Sequence, residues 1–243
     1  MVKAKHSKLF EPISIGKVQI KNRIAMAPMA IGGLTTPDGG FGPRAIDYYM
    51  ERARGVVGLI ITGAAIIDHE LEKHFPKATL SATRNPGHFI KTASELTQKV
   101  HDHGAKIFAQ ITAGVGRAAA PPRDMITPGY LPVAPSAIPD YWNPSIICRE
   151  ITLEEIKRLV KKCGHAAEAV KTAGFDGIDF HGLHEGYLID QFAIAMYNHR
   201  KDIYGGNLRR RLALAVEILQ EMKSRAACRA KSLRKPRVIR KRD

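Results

Sequence analysis

Near-continuous apolar runs alternate with amphipathic stretches four times along this chain, and that alternation narrows the fold more than any other feature. Val56-Val-Gly-Leu-Ile-Ile-Thr62 and Lys106-Ile-Phe-Ala-Gln-Ile111 are almost wholly apolar, as strands covered on both faces must be. Ile24-Ala-Met-Ala-Pro-Met29 is a shorter run of the same kind. Its Pro28 cannot donate a ladder hydrogen bond and so marks the strand's end. Gly177 to Phe180 is the fourth run, ending at His181.

Between these runs the sequence carries helix signals. Pro43 suits a first helical turn, and Gly55 stops a helix expected to reach about Ala53. Asn85 caps a helix with Pro86 at its first position, running to about His103. Thr152-Leu-Glu-Glu155 is a capping box for a helix to about Ala173, stopped by Gly174. Asn207 caps a last helix whose apolar face is expected to hold Leu212, Val216, Leu219 and Met222. Ahead of all this, Ile13 to Ile20 reads as a hairpin turning at Gly16-Lys17.

Four successive βα units predict an α/β fold with a parallel sheet and right-handed crossovers. The βα loops are long, Gly32 to Gly42 and Ala118 to Arg149, while the αβ loops are short. That asymmetry fits a (β/α)8 TIM-type barrel, whose carboxyl-end loops carry function. Four units make its N-terminal half, and no strand pattern returns after Met222. Residues 1–223 are therefore expected to form the N-terminal part of a barrel, and residues 224–243 a basic tail.

The tail accounts for much of the charge. Ser224 to Asp243 holds nine Lys or Arg and one acid, +8 of the chain's net +15. It has no aromatic residue for base stacking, so nucleic acid is not an expected partner. No apolar run approaches the ~18 residues of a membrane helix, and the start lacks a secretory h-region. Cys148, Cys163 and Cys228 are odd in number and share no ligand spacing, which favours a reducing cytosol. The expected localisation is cytoplasmic.

The chemistry concentrates in Asp176-Gly-Ile-Asp-Phe-His-Gly-Leu-His-Glu-Gly-Tyr-Leu-Ile-Asp-Gln-Phe192. Imidazoles at His181 and His184 can polarise a carbonyl. The phenol of Tyr187, protonated at neutral pH, can deliver a proton. A zinc pair completed by Glu185 or His199 is the competing reading, though no metal is expected.

Four ordered motifs resemble the Old Yellow Enzyme family, in its 2-enoate and 2,4-dienoyl-CoA reductase branch of NADH:flavin oxidoreductases. Lys8-Leu-Phe-Glu-Pro-Ile-Ser-Ile-Gly16 with Lys21-Asn-Arg-Ile-Ala-Met-Ala-Pro-Met29 resembles the branch's opening. Gln110-Ile-Thr-Ala-Gly-Val-Gly-Arg117 resembles its third-strand motif, and His181 to Phe192 its fourth. Asn198-His-Arg-Lys-Asp-Ile-Tyr-Gly-Gly-Asn-Leu-Arg-Arg-Arg211 resembles the run that follows. The resemblance spans about residues 7 to 223 and implies a ping-pong ene-reductase. FMN would take hydride from NAD(P)H and pass it to the C=C bond of an enone, enoate or enoyl-CoA.

The resemblance also implies roles. Gln110 would pair with the flavin's uracil-like edge. Pro28, Met29 and Ala30 would meet the isoalloxazine, with Gly63 and Ala64 giving it close access. His181 and His184 would clamp the substrate carbonyl, and Tyr187 would protonate the α-carbon. Arg117, Arg200, Asp202 and Tyr204 would brace loops. Ala30 stands where many members have Thr or Cys, and Tyr187 lies six residues after His181 where the best-known members have five.

Beyond Met222 the likeness stops. The family's later strands, with their flavin-facing arginine and phosphate loops, do not follow, and neither iron–sulfur ligands nor a G-x-G-x-x-G motif occurs. The tail reads as a shifted frame, so a frameshift or truncation near residue 223 is expected. An alternative is then an inactive fragment of such an enzyme, without stable FMN binding. Unpaired sheet edges on a half-barrel would invite self-association.

Overall fold

The computed structural model describes residues 6–67, 70–71, 79–119, 131–184 and 186–232. Strands β1 (Ile13–Ile15) and β2 (Val18–Ile20) form the expected antiparallel hairpin, with Gly16 at φ 57° in the turn. The βα series follows as β3 (Ala25–Met26), α1 (Pro43–Arg54), β4 (Leu59–Ile61), β5 (Ala65–Ile66), α2 (Pro86–Asp102) and β6 (Lys106–Thr112). A short parallel pair, β7 (Val133–Ala134) and β8 (Arg149–Glu150), lies within the long loop. Then come α3 (Leu153–Thr172), β9 (Gly177–Phe180), α4 (Leu188–Ala193), α5 (Leu208–Arg211) and α6 (Ala213–Ser232).

The helix starts lie where the capping residues put them. Asn85 accepts from the His88 N–H at the head of α2, and Thr152 and Glu155 close a reciprocal capping box on α3. One helix differs from expectation. The chain breaks at Leu212 into α5 and α6, and the stripe that α6 buries is Leu214, Ile218 and Met222. Leu212, Val216 and Leu219 stay largely exposed. Spacing alone fits both stripes; the docking of α6 on α3 selects one. That docking is close at Gly164, where a Cβ would crowd the side chains of Glu221 and Arg225.

The main sheet is parallel throughout and runs β3–β4–β6–β9, with β5 alongside the far end of β6. The second apolar run is thus one strand bent at Thr62–Ala64. Its first part pairs with Lys106–Phe108 and its second with Ile111–Thr112. This is the strand order of a partial α/β barrel.

The two sheet faces carry different layers. Ile107, Ala109 and Ile111 of β6 face the helices and join a core with Tyr49, Phe89, Leu96, Ile156 and Ile218. On the opposite face Leu59 and Phe108 pack against Ile20 of the hairpin, which closes the amino-terminal end of the barrel interior. Gly177 belongs there for steric reasons: a Cβ would press into the Phe108 ring.

β6 is buried along almost its whole length, whereas every residue of β9 is only partly covered. Beyond β9 lies a groove lined by Phe175, Ile178 and Phe180 on one side and Leu219 and Met222 on the other. The basic tail falls partly on α6, which runs through Ser232; residues 233–243 lie outside the described residues.

Candidate active site at the carboxyl ends of the strands

Parallel pairing brings the carboxyl ends of β3, β4, β6 and β9 to one rim, and the side chains singled out in the sequence lie along it. Pro28, Met29 and Ala30 follow β3, with Met29 51% exposed. Gly63 and Ala64 occupy the bend between β4 and β5. These two loops touch: a Cβ on Gly63 would run into the Met29 carbonyl oxygen. The Gly63 N–H donates to the Tyr49 hydroxyl of α1 at 3.0 Å. Burial pushes the Tyr49 phenol up to about 12 against the opposing pull of that N–H, so it stays protonated at neutral pH.

Gln110 is buried in β6, two residues before its end. Its backbone N–H donates to Thr62 Oγ1 at 3.3 Å, and its Nε2 donates to Asp179 Oδ2 at 2.7 Å. Gln110 and Asp179 are register partners, so both project from the same face of the sheet.

His181 follows β9 directly, with its N–H on the Ile111 carbonyl at 2.8 Å. Its ring lies 4.7 Å from His184 and 5.6 Å from Tyr187, and His184 lies 4.7 Å from Tyr187. All three rings therefore form one cluster. His181 is held below the ordinary imidazole value, first by burial and then by His184; Asp179 and Asp190 pull the other way. At neutral pH it is a neutral ring with one N–H to give. Glu185, the further ligand weighed for a zinc pair, lies outside the described residues. Among the described residues no group of three His, Cys, Asp or Glu is placed to hold a metal ion.

Several residues that shape this cluster were not singled out in the sequence. The buried Asp190 carboxylate accepts from the N–H groups of His184 at 2.7 Å and Gly186 at 3.1 Å. Gln191 Nε2 donates to the Val115 carbonyl at 3.0 Å, and its Oε1 accepts from the Arg117 N–H at 3.2 Å. The histidine loop is thus tied both to α4 and to the segment after β6. The sequence held a partial signal, since an acid in a first helical turn suits capping.

The expected bracing residues do brace. Arg200, 6% exposed, donates to the carbonyls of Pro135 at 3.0 Å and Ile151 at 2.7 Å and forks onto Asp202. Tyr204 donates to Glu217 at 2.8 Å. The Arg117 guanidinium lies 4.6 Å from the Tyr197 ring centroid, with Nε on the Pro139 carbonyl at 2.9 Å.

With this geometry established, comparison with known proteins is decisive at the level of family. The model of the NADH:flavin oxidoreductase / NADH oxidase family matches residues 8–234. The chain belongs to that family. Over 224 residues it is 48% identical to cinnamate reductase of Clostridium sporogenes, covering 92% of this chain and 33% of that protein. NADPH dehydrogenase of Bacillus subtilis is 36% identical over 216 residues, covering 89% of this chain and 60% of that protein. Among solved structures, the Old Yellow Enzyme homologue of Zymomonas mobilis superposes with a TM-score of 0.74 at 33% identity, covering 90% of this chain and 60% of that one. Morphinone reductase in complex with tetrahydroNAD gives 0.75 at 26% identity, over 90% and 61%. The chain thus spans between one third and about three fifths of these relatives. Family members are oxidoreductases, and the neighbours share the α/β barrel, of which this chain holds a part. Among the described residues no helix is long and apolar enough to cross a membrane.

Proposed function

We propose that this chain carries the substrate-activating half of an FMN-dependent ene-reductase, which uses NAD(P)H to reduce the C=C bond of an α,β-unsaturated carbonyl compound. The observation that carries this reading is the His181–His184–Tyr187 ring cluster, set on the same strand rim as Gln110 and Gly63. The 48% identity to a cinnamate reductase supports an enoate as the substrate class.

The residues on the rim fit a flavin ring. Gln110 has one N–H committed to Asp179, which leaves its Oε1 and second N–H for an imide edge that both donates and accepts. Gly63 lacks a Cβ where the chain already approaches Met29 closely. Pro28, Met29 and Ala30 would bear on the ring from β3, and Ala64 from the bend. When bound, FMN supplies the hydride chemistry; the protein orients and polarises.

The chain's own contribution is to the substrate. His181, neutral at pH 7, and His184 would donate to the carbonyl oxygen and stabilise the enolate charge. Removing one such donor typically costs about 2.7–4 kcal/mol of barrier. Tyr187, held against both histidines, would give its phenolic proton to the α-carbon. Asp190 would keep the His184 and Gly186 N–H groups in place through that step.

The test is the visible spectrum of the chain after FMN reconstitution and desalting, followed by anaerobic NAD(P)H. A retained flavin band that bleaches is expected, with cinnamate-type enoates restoring it. A protein that emerges colourless overturns the reading for this chain and leaves a fragment with the family's residues but no reaction.

A further inference from the structure

Asp179 is a charged side chain on the barrel-interior face to which none of the roles above gives a task. Its neighbours in β9, Ile178 and Phe180, turn toward the helix-side core. Gly177, on the same face as Asp179, meets Phe108. Asp179 therefore sits one layer above Phe108, facing Gln110 and two residues before His181.

The geometry at Gln110 is specific. A carboxamide can present its oxygen and nitrogen in either of two flipped orientations. With Nε2 donating to Asp179 Oδ2 at 2.7 Å, the flipped form would set Oε1 against a carboxylate oxygen, two acceptors with no proton between them. Only one orientation survives. A bond to an ionised acceptor is also stronger than one between neutral groups. We propose that Asp179 is a positioning residue that locks the Gln110 carboxamide for a flavin's imide edge. The flavin part of this role rests on the FMN reading above.

Asp179→Asn keeps an acceptor for Gln110 but removes the charge; Asp179→Leu removes both. NMR of the cofactor-free, 15N-labelled chain would follow the Gln110 side-chain amide at fixed pH. The bonded Gln110 amide signal is expected to be lost only in Asp179→Leu. FMN binding, followed by fluorescence quenching, should weaken about tenfold in Asp179→Leu and much less in Asp179→Asn, about the loss of one hydrogen bond. A Gln110 amide unmoved by Asp179→Leu overturns the role. If the wild-type chain takes up no FMN, the cofactor reading fails on that result, and the NMR measurement still decides whether Asp179 positions Gln110.

Discussion

Arg200 should be the most costly single side chain to remove outside the barrel core. Its side chain is 3% exposed and joins three segments that are distant in sequence. It donates to the Pro135 carbonyl in the long loop, to the Ile151 carbonyl at the head of α3, and through a fork to Asp202. Glu150 also lies 3.1 Å away, but at 50% exposure that pair contributes little. Arg200→Met would strand two buried carbonyls and uncouple Asp202. Net hydrogen bonds are worth about 1 kcal/mol, or about 1.5–3 where a charge takes part. Asp202, at 28% exposure, would be left partly solvated, so its lost fork adds less than the ~3–5 kcal/mol of a fully buried pair. Two charge-assisted bonds to buried carbonyls, together with the fork, give an expected loss of about 3–5 kcal/mol.

Urea unfolding followed by far-UV circular dichroism would measure that loss. With a slope near 2 kcal/mol/M, the midpoint should drop by about 1.5–2.5 M. Arg200→Lys keeps the charge but cannot reproduce the fork, so it should recover only a minor part. The loss should also depend on pH. The Arg200 fork, outweighing burial and aided by the Tyr204 N–H, holds the Asp202 carboxyl below its ordinary range. A depressed carboxylate contributes its full stability above its unfolded value near 3.9 and loses it as pH falls through the folded value. The gap between wild type and Arg200→Met should therefore narrow in acid. A variant within about 1 kcal/mol of wild type at neutral pH would refute the reasoning, because two buried carbonyls would then have lost their donor at almost no cost.

Two further outcomes are expected. Tyr49→Phe should cost about 1–3 kcal/mol by leaving the Gly63 N–H without its partner; hydrogen exchange should quicken at Gly63 and in the neighbouring bend, and unchanged exchange there would show that the contact does not hold it. Asp176 is clamped at the barrel's amino-terminal end by the Ile107 N–H, His101 and Lys106, at 3.0, 2.7 and 3.0 Å. Burial opposes its ionisation, yet these partners together hold its carboxyl below the ordinary range. Asp176→Asn should thus destabilise the chain above about pH 4 and lose its effect in stronger acid; a pH-independent difference in urea midpoint would count against the clamp.

The local signals in this sequence proved dependable because their physics is local. Asn85, Thr152 and Glu155 cap helices through atoms three residues away, and Gly16 turns a hairpin by its own φ. Buried strands announce themselves because both faces must be apolar. From these alone the parallel βα series could be derived, and with it the rim on which His181, Tyr187 and Gln110 stand.

Other features depended on contacts between segments far apart in the chain. Which of two apolar stripes α6 buries was decided by its docking against α3 across Gly164. The second strand bends at Thr62–Ala64 to follow β6, a fact that no run of apolar letters contains. The partnership of Gln110 with Asp179 exists only because two strands separated by 69 positions fall into one register. The three rings cohere because Asp190 and Gln191 tie their loop to α4 and to the segment after β6. Sequence by itself determined which residue types were available at the strand ends; pairing register and helix docking decided which of them meet, because a hydrogen bond or ring contact needs atoms within a few ångströms, and only the folded chain sets that separation.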